Sequence, residues 1–276
     1  MSKQIQPQEK QIDIDGLSLR YLDWGNADAQ PMVLLHGLQD CARSWDFFAD
    51  MLSSKYHVIA LDHRGHGNSG HASSERYRLR DYVADIEALV EQLGLQEIVL
   101  VGHSAGGRNA FVYAANHAEI VESMVIVDID PDAANPDSQG MFSRYMSESD
   151  EWDSLEAVVE RLRSRQPNST DEMLIHQATH MTKGLPGGRR AWKRDRTLLS
   201  SYERPDLWSE WSQIGQPTLI IRGRQSNLLT HDVAVKMRET IPRARLAELE
   251  GGGHWFYQEI PDEFEATVRW FLENLP

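Results

Sequence analysis

One cysteine, Cys41, stands in 276 residues, so no internal disulfide can form and packing alone must hold the fold. Basic residues are outnumbered: 28 Lys and Arg against 42 Asp and Glu give a formal net charge of −14. Phosphate backbones need a concentrated basic surface, so DNA and RNA are poor candidates as partners. No apolar run reaches the length of a membrane span, and the start, Met1 to Gln8, is polar and lacks the apolar centre of a signal peptide. These absences lead us to expect a cytoplasmic protein without nucleic-acid or membrane partners, acting on a small molecule. Nothing in the chain speaks to its oligomeric state, and no internal repeat stands out. What is present, 41% hydrophobic and 25% charged residues, is an ordinary globular composition. The length suits one α/β domain carrying an insertion.

Ile12 to Tyr21 alternates apolar and polar residues around Asp15-Gly16, which predicts an opening hairpin. Short apolar runs then predict strands at Met32–His36, His57–Asp62, Ile98–Gly102, Met124–Asp128, Thr218–Gly223 and Arg245–Glu250. Helical patterns fall at Trp45–Leu52, Tyr82–Leu93, Arg108–His117, Val233–Thr240 and Asp262–Leu275. Continuous Val/Ile/Leu runs joined by helices predict a buried, mostly parallel sheet. The regularity breaks in the polar, Ser- and Arg-rich stretch that follows Asp128. We therefore expect residues 1–130 and 212–276 to form the core, and 131–211 to be a helical cap over the carboxyl edge of the sheet.

Gly102-His103-Ser104-Ala105-Gly106 follows an apolar strand and precedes a helical pattern. Strand, G-x-S-x-G, helix is the context of a nucleophile elbow, a sharp turn that holds a serine hydroxyl out at the sheet edge. A free serine is a poor nucleophile, so the elbow has chemical meaning only with a base, an acid and an oxyanion hole.

With His36-Gly37, the stretch Asp62 to Ser69, Gly102 to Gly107 and Gly252-Gly253-His254-Trp255 in this order, the chain resembles the α/β-hydrolase fold proteins that carry a helical cap. The resemblance covers nearly the whole chain outside the cap. It implies Ser104 as nucleophile and His254 as its general base. The backbone N–H groups of Leu38 and Ala105 would then be the oxyanion hole. A serine at 104 argues against the dehalogenases and epoxide hydrolases of this fold, whose nucleophile is an aspartate. His36 reads as a brace for the oxyanion loop and Asp62 to Ser69 as a scaffold turn; His36, His103 and Trp255 are also candidates to line a substrate pocket.

Relatives usually place the acid three residues past the glycine that ends the next strand. Here that position is Ser226, followed by Asn227, and neither is a carboxylic acid. Asp128 ends the strand beside the elbow, where a buried carboxylate is costly unless partnered. The pattern Val127-Asp128-Ile129, then Pro131, with Arg222-Gly223 and Ser226 later, resembles an esterase subgroup that takes its acid from this earlier strand. Asp128 is thus the expected acid and Asp130 its alternative, with Asp232 and Glu250 more remote.

Glu172, His176 and His180 recur at four-residue spacing, which on a helix could chelate zinc; without an H-E-x-x-H motif they read as a polar cap face, and no metal or cofactor is expected. Arg189 to Arg196 is a basic cluster, read as a solvated cap face that could alternatively clamp an anionic substrate. Cys41 reads as a packing residue. The expectation is a carboxylesterase-like hydrolase with a Ser104–His254–Asp128 triad. Lactone, thioester or carbon–carbon bond hydrolysis, a cofactor-free lyase and a slow ligand receptor remain as alternatives.

Overall fold

A computed structural model describes residues 5–276, so the first four residues of the polar start lie outside the described residues. The opening hairpin pairs β1 (Gln8–Ile14) with β2 (Leu17–Asp23), and Asp15 and Gly16 both take the positive φ that a tight two-residue turn demands. Then come β3 (Pro31–Leu35), α1 (Asp46–Leu52), β4 (His57–Leu61), α2 (Leu79–Gln92), β5 (Ile98–His103), α3 (Ala105–Asn116) and β6 (Val121–Val127). The insertion runs through α4 (Pro136–Ser147), β7 (Glu151–Trp152), α5 (Leu155–Arg165), α6 (Asp171–Met181), β8 (Thr182–Gly184), β9 (Arg190–Trp192) and α7 (Thr197–Ser201). A short α8 (Trp208–Trp211) leads back to β10 (Thr218–Gly223), α9 (His231–Thr240), β11 (Ala244–Leu249), α10 (Phe256–Glu259) and α11 (Pro261–Glu273).

One eight-stranded sheet has the order β1-β2-β4-β3-β5-β6-β10-β11. Its first three strands pair antiparallel and the rest are parallel. Successive strand side chains alternate faces, and both faces are buried. Val33, Leu35, Ile59, Leu61, Leu100 and Ile126 face α2, α3 and α9, where Ile86, Phe111 and Met237 meet them. Met32, Leu34, Val58, Val101, Val125 and Ile221 face the other way, onto Trp45, Phe48, Phe264 and Phe271 of the α1 and α11 layer. This double burial is why those segments are apolar throughout. α8 packs on α3, and Trp211 joins the first of these clusters.

The cap departs from the all-helical expectation: β7, β9 and β8 form a small antiparallel sheet beside its helices. Its three long helices begin where the sequence offers an N-cap. Asn135, Ser154 and Thr170 each accept the amide three residues on, at 2.9, 3.2 and 3.2 Å. Val158, Leu162, Leu174, Ala178 and Trp192 make a separate cap core that closes on Cys41 of the main domain. Burial pushes the Cys41 thiol up, which removes it as a thiolate nucleophile.

The turn Asp62 to Ser69 is a scaffold in the literal sense. Asp62 is fully buried and accepts from Arg20 Nε at 2.6 Å, Ala42 N–H at 2.7 Å and Asn68 N–H at 2.7 Å. The next residue, His63, donates its amide to His36 Nε2 at 3.0 Å, which ties the turn to the loop after β3. Removing one partner of a buried ion pair strands the other. Asp62→Ala should therefore lower unfolding free energy by about 3 kcal/mol or more in urea titration; a loss under about 1 kcal/mol would show that Arg20 finds water instead.

Candidate active site

Ser104 sits between β5 and α3 with φ 53° and ψ −123°, a backbone region that non-glycine residues rarely enter. Its amide donates to Val127 O at 3.0 Å and its carbonyl accepts from Gly107 N–H at 2.9 Å, so the strained turn is held from both sides. A Cβ on Gly106 would lie 2.4 Å from Leu35 O, and one on Gly102 would lie 2.5 Å from Gly106 O. Strand and helix approach too closely here for any side chain, which is the physical content of the two glycines.

His254 lies in the loop between β11 and α10, and its Nδ1–H donates to Asp128 Oδ2 at 2.8 Å. Asp128 follows β6 with φ 51° and is fully buried. Ser226 also donates its hydroxyl to Asp128 Oδ2, and the Gly223 amide reaches Oδ1 at 3.3 Å. Ser226, at the position where a carboxylic acid was first sought, thus steadies the Asp128 carboxyl. The sequence carried that signal only as Arg222-Gly223 and Ser226; the hydroxyl's task was not legible. Arg222 fixes the loop itself, its Nε donating to Leu229 O at 2.8 Å and its Nη1 to Glu248 at 2.5 Å.

Burial pushes the Asp128 carboxyl up, while the Ser226 hydroxyl, the Gly223 amide and the Arg222 charge pull it down. Burial also pushes the His254 imidazole down, helped by the charges of Arg165 and Arg204 and opposed by Asp40. The ring is therefore neutral near pH 7, and with Nδ1–H given to Asp128 its lone pair is on Nε2. That is the form a general base needs. No hydrogen bond joins Ser104 Oγ to this ring in the structure. The two segments are instead stitched by His103, whose Nε2–H donates to the His254 carbonyl at 2.9 Å.

Other predicted residues fall as follows. Asp130 points away from His254 and pairs with Arg204, with Asn135 at 2.9 Å and the Asp132 amide at 2.8 Å. Asp232 is exposed, and exposed Glu250 faces Arg224 and Gln225. His103, expected along the pocket, is 1% exposed and lies against the rings of His254 and Tyr257, so it braces the loop rather than lining a cavity. His36 donates Nδ1–H to Gly37 O at 2.7 Å and holds the His63 amide at Nε2. It also lines a narrow cavity together with Leu38, Ala105, His63, Tyr82 and Arg108. Among the described residues neither the Leu38 nor the Ala105 amide is taken by a protein acceptor. Trp255 is in the wall of a second cleft, beside His254.

The basic cluster is structural. Arg189 pairs with Glu151, Arg194 and Arg196 with Asp150 at 2.6 and 3.0 Å, and Arg190 Nε with Thr182 at 2.9 Å. These contacts hold the small cap sheet together, and they engage the guanidinium groups that could have clamped an anion, leaving of their nitrogens only Arg194 Nε and Nη1 buried without an acceptor. On α6, Glu172 is exposed, whereas His176 Nε2 reaches Arg43 O at 3.1 Å and Asp46 Oδ2 at 3.2 Å, fastening cap to core.

Residues 30–259 match the family model described as alpha/beta hydrolase fold. The chain belongs to that family. It is 26% identical over 266 residues to a 2-(acetamidomethylene)succinate hydrolase of Mesorhizobium japonicum, covering 96% of this chain and 95% of the relative. It is 28% identical over 273 residues to an sn-1-specific diacylglycerol lipase of Mus musculus, covering 96% and 88%. The crystal structure of E-2-(acetamidomethylene)succinate hydrolase superposes with a TM-score of 0.90 at 25% identity, over 97% of this chain and 99% of that one. As an alpha/beta hydrolase fold protein it is thus similar to hydrolases, lipases among them. Among the described residues no helix is long and apolar enough to cross a membrane.

The lowered imidazole sets the sign of a pH effect. As a base for Ser104, a protonated His254 could not accept the serine proton, and burial delays that protonation to lower pH. The acid limb of kcat/KM should therefore fall below about pH 6, under the ordinary histidine value. A limb at pH 6.5 or above in a stopped-time or continuous assay would contradict a buried, neutral ring.

Proposed function

We propose that this alpha/beta hydrolase fold protein is a serine hydrolase that cleaves a carboxylic ester of a small to medium molecule through an acyl-enzyme. The observation that carries the reading is the 2.8 Å bond from His254 to a fully buried aspartate, beside a serine on a strained elbow. In this reading Ser104 Oγ attacks the ester carbonyl carbon while His254 Nε2 takes its proton. Asp128 keeps the ring in the right tautomer and offsets the imidazolium charge. The Leu38 and Ala105 amides receive the developing oxyanion. His254 then gives its proton to the leaving alcohol as the carbon–oxygen bond breaks. Water attacks the acyl-enzyme, loses a proton to His254, and releases the acid and Ser104. The proton taken from Ser104 leaves with the alcohol, the one taken from water restores the Ser104 hydroxyl, and no cofactor is required.

The hydrolase and lipase named among the relatives support acyl chemistry at this site. The same residues would open a lactone or a thioester by the same steps, with the leaving oxygen or sulfur taking the proton from His254.

A fluorophosphonate probe should label the protein, and Ser104→Ala should abolish the label; an unlabelled wild type would end the serine-nucleophile reading. On a panel of activated esters, Asp128→Asn should lower kcat by roughly 10³–10⁴-fold. Asp130→Asn, at a carboxylate that never meets His254, should stay within about tenfold of wild type. The reverse order would transfer the role to Asp130.

A further inference from the structure

Cap arginines are almost all spoken for. Arg161 pairs with Glu148, Arg163 with Asp171, Arg204 with Asp130, and the Arg189 to Arg196 group with Glu151, Asp150 and Thr182. Arg194 and Arg204 each keep two buried N–H groups without an acceptor, but both are charge-paired, whereas Arg144 and Arg165 have no acidic partner among the described residues. Among the described residues neither guanidinium has a carboxylate or carbonyl partner in the hydrogen bonds and ion pairs of the structure, although the protein is strongly acidic. Both line the same cleft, the one that also holds His254 and Trp255. Arg165 closes the end of α5, and its guanidinium carbon lies 4.3 Å from the centre of the Trp255 ring. Its Nε and Nη2 are buried and have no acceptor, and the one polar side chain among the described residues that reaches the guanidinium is the neutral Tyr145 hydroxyl, which leaves its charge unpaired.

A guanidinium N–H buried without an acceptor is costly, and two on one side chain cost more. Stacking on an indole face holds the planar fork at a fixed angle but satisfies none of its in-plane donors. The acids on the cleft wall do not supply the acceptor. Glu259 is engaged by the Gly253 and Asn168 amides at 2.7 and 3.3 Å, and Asp137 lies in the first turn of α4 without contact to either arginine. Two unpaired guanidinium groups converging on one cleft beside the base fit a planar anion that can accept two parallel bonds.

We propose that the substrate carries a free carboxylate, bound by Arg165 with Arg144 in the cleft beside His254. This rests on the hydrolase reading above for its chemistry, but the binding site itself does not. The molecule would span the elbow: its reacting carbonyl at Leu38 and Ala105, its carboxylate on the Trp255 side. The narrow cavity and the arginine cleft then serve two parts of one substrate.

Two measurements on the full chain test this. In turnover, a p-nitrophenyl hemisuccinate should exceed the neutral p-nitrophenyl butyrate in kcat/KM by at least about tenfold. Arg165→Met should bring that ratio near one, Arg165→Lys should recover only part of it because a point charge lacks the fork, and Arg144→Met should reduce it. Arg163→Met, at a paired surface arginine, is the control that leaves the ratio intact. In binding, succinate titrated calorimetrically should bind wild type at least about tenfold more tightly than Arg165→Met, circular dichroism confirming that the variant is folded. Esters hydrolysed without preference for the charged member, and succinate binding indifferent to Arg165, would overturn the carboxylate site and leave the hydrolase standing. Arginine-dependent succinate binding without turnover of either ester would uphold the site and overturn the hydrolase.

Discussion

Taking an aspartate entirely out of water is the constraint around which the Ser104–His254 site is arranged. Asp128 is fully buried at the end of β6, and a bare carboxylate there would be expensive. Three donors meet it: the His254 ring, the Ser226 hydroxyl and the Gly223 amide. Gly223 and Ser226 come from the loop after β10 and His254 from the loop after β11, so satisfying one side chain ties two loops to the end of β6. Ser226 is held by Arg222, His254 is held by His103, and His103 is the residue before Ser104. Strain is accepted at both ends of this chain of contacts, since Ser104 and Asp128 have positive φ. Strained backbone survives where the surroundings over-determine it, and here they do.

Much of this was readable because burial on both sheet faces leaves a plain mark in sequence. β10 is apolar up to Arg222 and was placed at Thr218–Gly223. β6 begins earlier than expected, at Val121, because Glu122 is exposed at the lower end and breaks the apolar run. α3 begins at Ala105 rather than Arg108, since Gly106 and Gly107 carry no helical signal. The small cap sheet left no trace at all: strands of two or three residues are too short to show a period. That Asp128 lies against His254 could be expected from the serine at position 226. What that serine does could not, because a hydroxyl donor has no pattern.

Charge was the least legible property. Eight residues around Arg189 to Arg196 looked like the basic feature of an acidic chain, yet their partners Asp150 and Glu151 lie some forty positions earlier. Arg144 and Arg165, outside that cluster, carry no sequence signal that sets them apart. A sequence shows which residues are charged but not which charges are already answered, and only the unanswered ones are available to a ligand.

Asp130, two residues beyond Asp128, is already the neck of the cap. Its carboxylate holds Arg204 on the returning leg, and its carbonyl accepts from Arg108 Nη1 at 2.6 Å. The same Arg108 reaches Asp132 O on the outgoing leg and Pro205 O on the returning one. Both legs are thereby riveted to α3 next to the aspartate that orients His254. The insertion therefore hangs from the same short stretch of backbone that places Asp128 against His254, and its two legs share one anchor on α3.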